Sequence, residues 1–148
     1  MHSTLVYSFR TNKDVDLFRN AGIGVFEFGK LKEDLLIFCE MIKQIHPTRI
    51  IGISAVVGES RFETEAVNVF GKHGTVNMGG RDRYQLHVPT EKPFATSKKP
   101  TTSFCNWTMY KLSEVVEGSS ANVTFLHYTK ADLPLVLEYL QSASMHRV

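Results

Sequence analysis

Hydrophobic positions in this chain follow two different periods, which alternate along its length. Short apolar or alternating stretches predict strands at residues 4–9, 24–28, 49–57, 84–88 and 122–128. Apolar residues at helical spacing predict helices at residues 14–20, 32–45, 105–116 and after residue 132. The run 49–57 is almost continuously apolar, which is typical of a strand buried on both faces. The glycine- and proline-rich segment 70–99 is expected to be mostly loop, with one or two short strands.

This alternation of strands and helices indicates the architecture. It predicts an α/β fold of three layers (α/β/α), in which helices cover both faces of a mostly parallel central sheet. A length of 148 residues suffices for one hydrophobic core, so we treat residues 1–148 as a single domain. Binding sites in such sheets form beyond the carboxyl ends of the strands, and candidate residues are therefore sought there.

Two of the predicted helices carry more detailed signals. Thr129 and Asp132 have the spacing of a capping box before the last helix, whose buried face is expected to hold Leu133, Leu137 and Leu140. The apolar face of helix 32–45 is expected to hold Leu35, Leu36, Cys39, Ile42 and Ile45. We therefore interpret Cys39 as a core residue.

Composition narrows the classes of function. Apolar residues make up 43% of the chain and charged residues 22%, an ordinary globular balance that argues against disorder. The net charge of +2, without a basic stripe, argues against a nucleic-acid partner. No apolar run approaches the roughly 20 residues that cross a bilayer, and the N-terminus lacks signal-peptide features, so no membrane association is expected. Two cysteines give no disulfide framework, which favours a cytoplasmic location.

Cys105 and His127 are the residues with the clearest chemical potential. Cys105 starts a predicted helix, where free backbone N–H groups and the helix dipole favour the thiolate. His127 lies at the carboxyl end of a predicted strand, and a cysteine with a histidine is the minimum apparatus of a cysteine hydrolase. The alternative is structural, because free cysteines are often buried as small hydrophobic residues. Spacing typical of a metal site is absent from the cysteines and histidines.

Three longer segments carry a more specific signal. Residues 63–68 read E-T-E-A-V-N after an apolar strand, residues 105–110 read C-N-W-T-M-Y, and residues 125–127 read F-L-H. They resemble, in the same order, the E-R-x-A-x-N, C-N-x-x-x-Y and F-x-H motifs of the pyroglutamyl peptidase I (pyrrolidone-carboxylate peptidase) family. By this resemblance Glu63, and not Glu59 or Glu65, takes the position of the family's catalytic glutamate.

The resemblance implies a cysteine peptidase that cleaves an amide bond of a small peptide or amide substrate. Cys105 would attack the carbonyl, His127 would transfer the protons, and Glu63 would orient His127, without a metal or an organic cofactor. Asn106 would either shape the oxyanion site or cap the helix, and we favour the cap. Family members often assemble into oligomers, so the resemblance leaves a homo-oligomer open.

The chain also departs from the family pattern. Family members are longer, and this chain is shorter before Glu63 and between residues 68 and 105. Phe9 matches the first of two phenylalanines that hold the substrate ring, whereas Asn12 stands at the second position. The family's arginine-containing segment has no clean counterpart, and Arg81 and Arg83 are the candidates to replace it.

These departures leave two hypotheses open. The first is a small cysteine hydrolase whose specificity is altered by the lost ring contact. The second is a catalytically silent relative that acts as a binding or interaction protein. Retention of all three triad positions favours the first hypothesis. A phosphorylase-like or nucleotide-binding role is less favoured, because the sequence lacks a phosphate-binding signature.

Overall fold

A computed structural model describes residues 3–90 and 93–144 of the chain. The strands are β1 (Thr4–Phe9), β2 (Val25–Phe28), β3 (Arg49–Ala55), β4 (Arg61–Phe62), β5 (Glu65–Val67), β6 (Arg83–Gln85), β7 (Ala95–Thr96) and β8 (Asn122–Tyr128). The α-helices are α1 (Val15–Asn20), α2 (Leu31–Ile45), α3 (Phe104–Val116) and α4 (Leu133–Ser144). Single turns of 3-10 helix lie at Gly71–His73 and Lys130–Asp132. Among the helices in these ranges, none is long and apolar enough to span a membrane.

Six of the strands form one sheet, in the order β2-β1-β3-β8-β4-β7. Strands β2, β1, β3 and β8 are parallel to their neighbours, whereas β4 runs antiparallel to β8. β5 and β6 form a separate antiparallel pair. The prediction of an α/β fold with a mostly parallel central sheet is confirmed, with the two-residue strand β4 as the point where the direction reverses.

The alternation of side chains along β8 divides the core into two halves. Phe125 belongs to the half beneath α2 and α3, which also contains Tyr7, Phe28, Phe38 and Met109. Leu126 belongs to the half beneath α1 and α4, which also contains Phe18, Ile51, Ile53, Val136 and Leu140. Successive strand residues point to opposite faces of a sheet, so His127 lies on the same face as Phe125. β3 contributes to both halves, as its continuous apolar run predicts.

The buried face of α2 differs from the predicted one. Phe38 is its fully buried residue, and Leu31, Leu35 and Ile42 pack around it. Leu36 precedes Phe38 by two residues, about 200° around the helix, and is 70% exposed. Cys39 is only partly buried, so its interpretation as a core residue was wrong.

The start of the last helix also differs from the predicted capping box. The Asp132 backbone N–H donates to the backbone oxygen of Thr129 at 3.0 Å, within a turn of 3-10 helix. The Asp132 carboxylate accepts from the hydroxyl of Ser60 at 2.5 Å, and the Thr129 N–H donates to that same hydroxyl at 2.8 Å. Ser60 therefore bridges the two residues of the expected capping box, and the Thr129 hydroxyl also donates directly to the Asp132 carboxylate at 3.3 Å. Of the three leucines assigned to the buried face, Leu140 is fully buried, and Val136 takes the adjoining position.

The predicted strand at residues 84–88 is shorter than expected. β6 ends at Gln85, and Leu86 still donates to Thr64 at 3.0 Å. The next backbone N–H, that of His87, donates instead to Val123 of β8 at 2.8 Å. The strand ends early because the chain leaves β5 and crosses to the main sheet.

Gly52 of β3 permits a close contact beneath α3. A Cβ atom at this position would lie 2.5 Å from ring carbons of both Tyr7 and Phe125. Both rings are fully buried, so neither can withdraw to make room. The strands on either side of β3 therefore bring their aromatic rings together over a residue that has no side chain.

We expect Gly52→Ala to destabilise the protein by about 1–3 kcal/mol, because the added methyl group overpacks a closed aromatic cluster. Urea unfolding gives the free energy of unfolding. Gly24→Ala is the matched control, since its added Cβ meets no atom within 4 Å, and its change should stay within about 0.5 kcal/mol. Equal losses in the two variants would contradict the packing argument.

Candidate functional site

A row of three polar side chains crosses the sheet near its carboxyl edge. His127 of β8 lies opposite Ser54 in the parallel pairing with β3. It also lies opposite Arg61 in the antiparallel pairing with β4. Paired residues on neighbouring strands, about 5 Å apart, share a face of the sheet, so all three residues face α3.

Glu63 follows β4 and contacts the histidine of this row. Its carboxylate oxygen Oε2 lies 2.7 Å from His127 Nδ1, and the glutamate side chain is buried. The Glu63 backbone N–H donates to the Phe125 carbonyl at 2.9 Å, which holds the glutamate beside β8. The structure therefore brings together Glu63 and His127, two of the three residues proposed for the triad.

Arg61 binds the same carboxylate oxygen. Its Nε atom lies 3.3 Å from Glu63 Oε2, and its Nη1 donates to the backbone oxygen of Glu59 at 3.3 Å. The other oxygen, Glu63 Oε1, is buried and has no hydrogen-bond partner among the described residues. One oxygen thus carries both contacts of the carboxylate.

Cys105 is the second residue of α3 and is buried, with 3% of its surface exposed. Burial raises the pKa of its thiol to about 12, hydrogen bonds with the side chains of Ser54 and Ser103 oppose this rise, and the charge of Glu63 adds to it. The helix start alone therefore does not produce a thiolate here, contrary to the local argument from sequence. The thiol nevertheless contacts Ser54, the strand neighbour of His127.

Phe9 ends β1 on the same face and is 3% exposed. Its ring meets the ring of Phe104, the residue before Cys105, edge to face with the centroids 4.7 Å apart. Phe104 is 40% exposed, so of these two rings it is Phe104 that presents an aromatic surface to solvent. Trp107 is buried along its helix.

Asn12 takes part in a hydrogen-bonded network. Its side chain bonds to Ser8 at 3.0 Å and to the hydroxyl of Tyr128 at 3.1 Å, and it accepts from the backbone N–H of Asp14 at 2.9 Å. Tyr128 also donates to the Asp14 carboxylate at 2.7 Å. These contacts give Asn12 a structural role at the end of β1.

The two arginines suggested from sequence form surface ion pairs. Arg81 pairs with Glu117, and Arg83 pairs with Glu65 at 3.1 Å. Both arginine side chains are more than half exposed. The guanidinium that contacts the His127–Glu63 pair belongs to Arg61, which the sequence argument missed.

Asn106 has neither of the two roles considered for it. It is fully buried, accepts from the Val67 N–H at 2.9 Å, and donates to the carbonyls of Val67 and Val69 at 2.8 and 2.9 Å. Its amide therefore joins the start of α3 to β5, across 39 residues of sequence. This clamp holds the segment after Glu63 against the helix that carries Cys105.

Other parts of the structure offer less to catalysis. A cavity of about 660 Å³ opens on the opposite face of the sheet, lined in part by Arg49, Thr124 and Tyr139, and it includes none of Cys105, His127 and Glu63. Within the described ranges, no group of three or more histidine, cysteine, aspartate or glutamate side chains could hold a metal ion.

Solved structures with the same architecture were found. Pyroglutamyl peptidase I from Bacillus amyloliquefaciens superposes with a TM-score of 0.73 at 16% identity, over 97% of this chain and 94% of that one. The chain has the pyroglutamyl peptidase fold. Pyrrolidone carboxyl peptidase from Thermococcus litoralis gives a TM-score of 0.66 at 18% identity, over 87% and 77% of the two chains. A mutant of the Pyrococcus furiosus enzyme gives 0.70 at 16% identity, over 95% of each chain.

Sequence comparison does not detect this relationship. Neither a protein-family model nor a curated protein sequence matches the chain. The pyroglutamyl peptidase fold is thus recognised here from its three-dimensional structure and from the three short motifs.

We expect Asn106→Ala to cost about 3 kcal/mol of stability, because it leaves one buried N–H and two carbonyls of the β5 segment without their partners. Urea unfolding measures the loss. Asn68→Ala is the matched control, since its side chain makes two 2.8 Å bonds to the backbone of Asn77 within one loop, and about 1 kcal/mol is expected. A smaller effect for Asn106 than for Asn68 would refute the clamp.

Proposed function

We propose that the protein is a cysteine hydrolase of the pyroglutamyl peptidase type, a divergent relative that cleaves an amide bond of a small substrate. Cys105 is the nucleophile, His127 the general base and acid, and Glu63 the residue that orients His127. The observation that carries the proposal is the 2.7 Å contact between His127 Nδ1 and the buried Glu63 carboxylate. This contact lies on the face of the sheet that is covered by α3, the helix that carries Cys105 in its first turn.

The proposed reaction uses side chains and backbone groups of this chain together with one water molecule. His127 Nε2 takes the thiol proton of Cys105, and the thiolate attacks the carbonyl carbon of the amide. Backbone N–H groups at the start of α3 stabilise the oxyanion. His127 then gives its proton to the leaving amine, and a thioester remains on Cys105. Water hydrolyses the thioester after losing a proton to His127, which returns that proton to the thiolate.

The burial of Cys105 sets a condition on this reaction. A thiol whose pKa lies near 12 is protonated at neutral pH, so the thiolate must form as an ion pair with imidazolium. Glu63 supports such a pair, because its carboxylate accepts from Nδ1 and is placed to stabilise the positive ring.

The contact between Phe9 and Phe104 bears on the acyl group. A planar ring held between two aromatic faces needs about 7 Å between them, twice a van der Waals separation. Here the two ring centroids are 4.7 Å apart, so Phe104 occupies the space beside Phe9. A flat lactam would have to displace Phe104, which favours a different or smaller acyl group.

The second candidate function is that of a silent relative that binds a ligand or partner without cleaving it. Two features favour it, namely the burial that raises the pKa of the Cys105 thiol and the ring contact that fills the space beside Phe9. The pH dependence of the alkylation rate of Cys105 distinguishes the two candidate functions.

We expect the alkylation rate of Cys105 to reach a plateau near neutral pH, because a thiolate–imidazolium pair supplies thiolate well below the pKa of the buried thiol. The rate constant with iodoacetamide is followed from pH 5 to 11 by mass spectrometry. Cys39, whose pKa is raised by burial, is the internal control and should give no plateau. His127→Ala should remove the plateau from Cys105. A rate that only rises with pH, at both cysteines, would favour the silent relative.

We expect weak turnover of a pyroglutamyl-coumarin amide by the native protein and about a tenfold gain in kcat/KM for Phe104→Ala, since a single aromatic obstacle is worth on the order of 1.4 kcal/mol. Leu36→Ala, 70% exposed on α2, is the control and should leave kcat/KM unchanged. Cys105→Ser should abolish the reaction. A loss of activity in Phe104→Ala would mean that Phe104 holds the substrate.

A further inference from the structure

We propose that Arg61 is a positioning residue for the His127–Glu63 pair. Its role in catalysis rests on the proposed function. Its guanidinium binds the one carboxylate oxygen that His127 also contacts. It thereby fixes the carboxylate against the imidazole and balances its buried charge.

The geometry rests on the register of β4 and β8. Arg61 is the direct strand partner of His127, and the two share a face of the sheet. Glu63, two residues further along the same extended chain, returns to that face and reaches both side chains. Two contacts therefore converge on Oε2, while Oε1 has no partner among the described residues. The ion pair with Arg61 at 3.3 Å therefore opposes any movement of Oε2 away from its place beside His127.

The electrostatic consequence follows from counting charges. A buried carboxylate is costly unless it is paired. Arg61 is permanently charged and only 27% exposed, so it can neutralise Glu63 while the imidazole remains neutral. Without Arg61, protonated His127 is the one cation among the described residues that is placed to balance the buried Glu63 carboxylate. Removal of the arginine should therefore make the His127–Glu63 pair take up a proton at a higher pH.

Few polar or titratable side chains face the His127–Glu63 pair from the elements packed against it. β3 contributes the uncharged Ser54, and α3 contributes Cys105, whose thiol is protonated in this arrangement. β4 contributes Arg61 itself, which also touches the backbone oxygen of Glu59. In the part of the chain that the structure describes, Arg61 is therefore the cation that contacts the pair.

The test uses Arg61→Met, Arg61→Lys and Arg83→Met in the full chain. Arg83 is the matched control, because it forms a similar pair with Glu65 at 3.1 Å, two residues after Glu63, but is 58% exposed. Histidine side-chain nitrogens are observed by NMR across pH in ¹⁵N-histidine-labelled protein. His127→Asn assigns the signal, and thermal melting confirms that each variant is folded.

We expect Arg61→Met to move the pH midpoint of the His127 signal upward by about one pH unit, on the scale of the loss of a neighbouring charge in a partly screened site. Arg61→Lys should keep the midpoint close to its native value, because the lysine retains the positive charge. Arg83→Met should leave the midpoint unchanged. An unchanged midpoint in folded Arg61→Met, or an equal shift in Arg83→Met, would overturn the proposal. If Arg61→Met does not fold, the midpoint in Arg61→Gln decides in the same way.

Activity provides a second readout. If the protein hydrolyses amides, Arg61→Met should lower kcat with little change in KM, because Arg61 acts through Glu63 and not on the substrate. The NMR midpoint requires no turnover. A shifted midpoint in a protein without activity would therefore support the role of Arg61 while refuting the proposed function, and the two failures remain distinguishable.

Discussion

The pairing of β8 with β3 is the constraint on which the rest of the structure depends. Seven consecutive residues of β8 pair in parallel with seven of β3, and most of them are buried. Because the side chains alternate, this register sends Phe125 and His127 to one face and Leu126 to the other. A slip of one residue would exchange the two halves of the core and would separate His127 from Ser54. The position of the candidate site is therefore maintained by the same packing that stabilises the sheet.

Long elements with a strong period could be predicted from the sequence, whereas short ones could not. The apolar run of β3 and the periodicity of α3 are local signals, and both elements were placed to within a residue or two. β4 has two residues, too few for any period, so neither its reversed direction nor the contact of Arg61 with the glutamate was foreseen. The position of Ser54 beside His127 was not foreseen either, because the neighbour of Ser54 on β8 depends on register. Cys39 was misassigned because periodicity does not tell how much of a helix face the sheet will cover.

The residues of the candidate site also differ in how far they could be predicted from the sequence. Three motifs singled out Glu63, Cys105 and His127, and the contact between Glu63 and His127 lies where strands β4 and β8 meet. The role of Asn106 could not be predicted from local sequence, since its partners lie 37 and 39 residues away, at the end of β5 and just after it. A helix cap is a local interaction, and it was the wrong expectation because the amide satisfies a distant backbone instead. The contact between Phe104 and Phe9 likewise arises from tertiary packing, which no local signal reveals.

The depth of the Cys105 thiol has a consequence for the lifetime of the protein under oxidative conditions. Peroxides react with thiolates that solvent can reach, and the first product, a sulfenic acid, leads on to irreversible forms. A sulfur that is 3% exposed and holds its proton resists this first step. The cysteine would become vulnerable only in the state in which His127 has taken its proton. In the proposed hydrolase, the same enclosure that makes Cys105 slow to activate would preserve it between reactions.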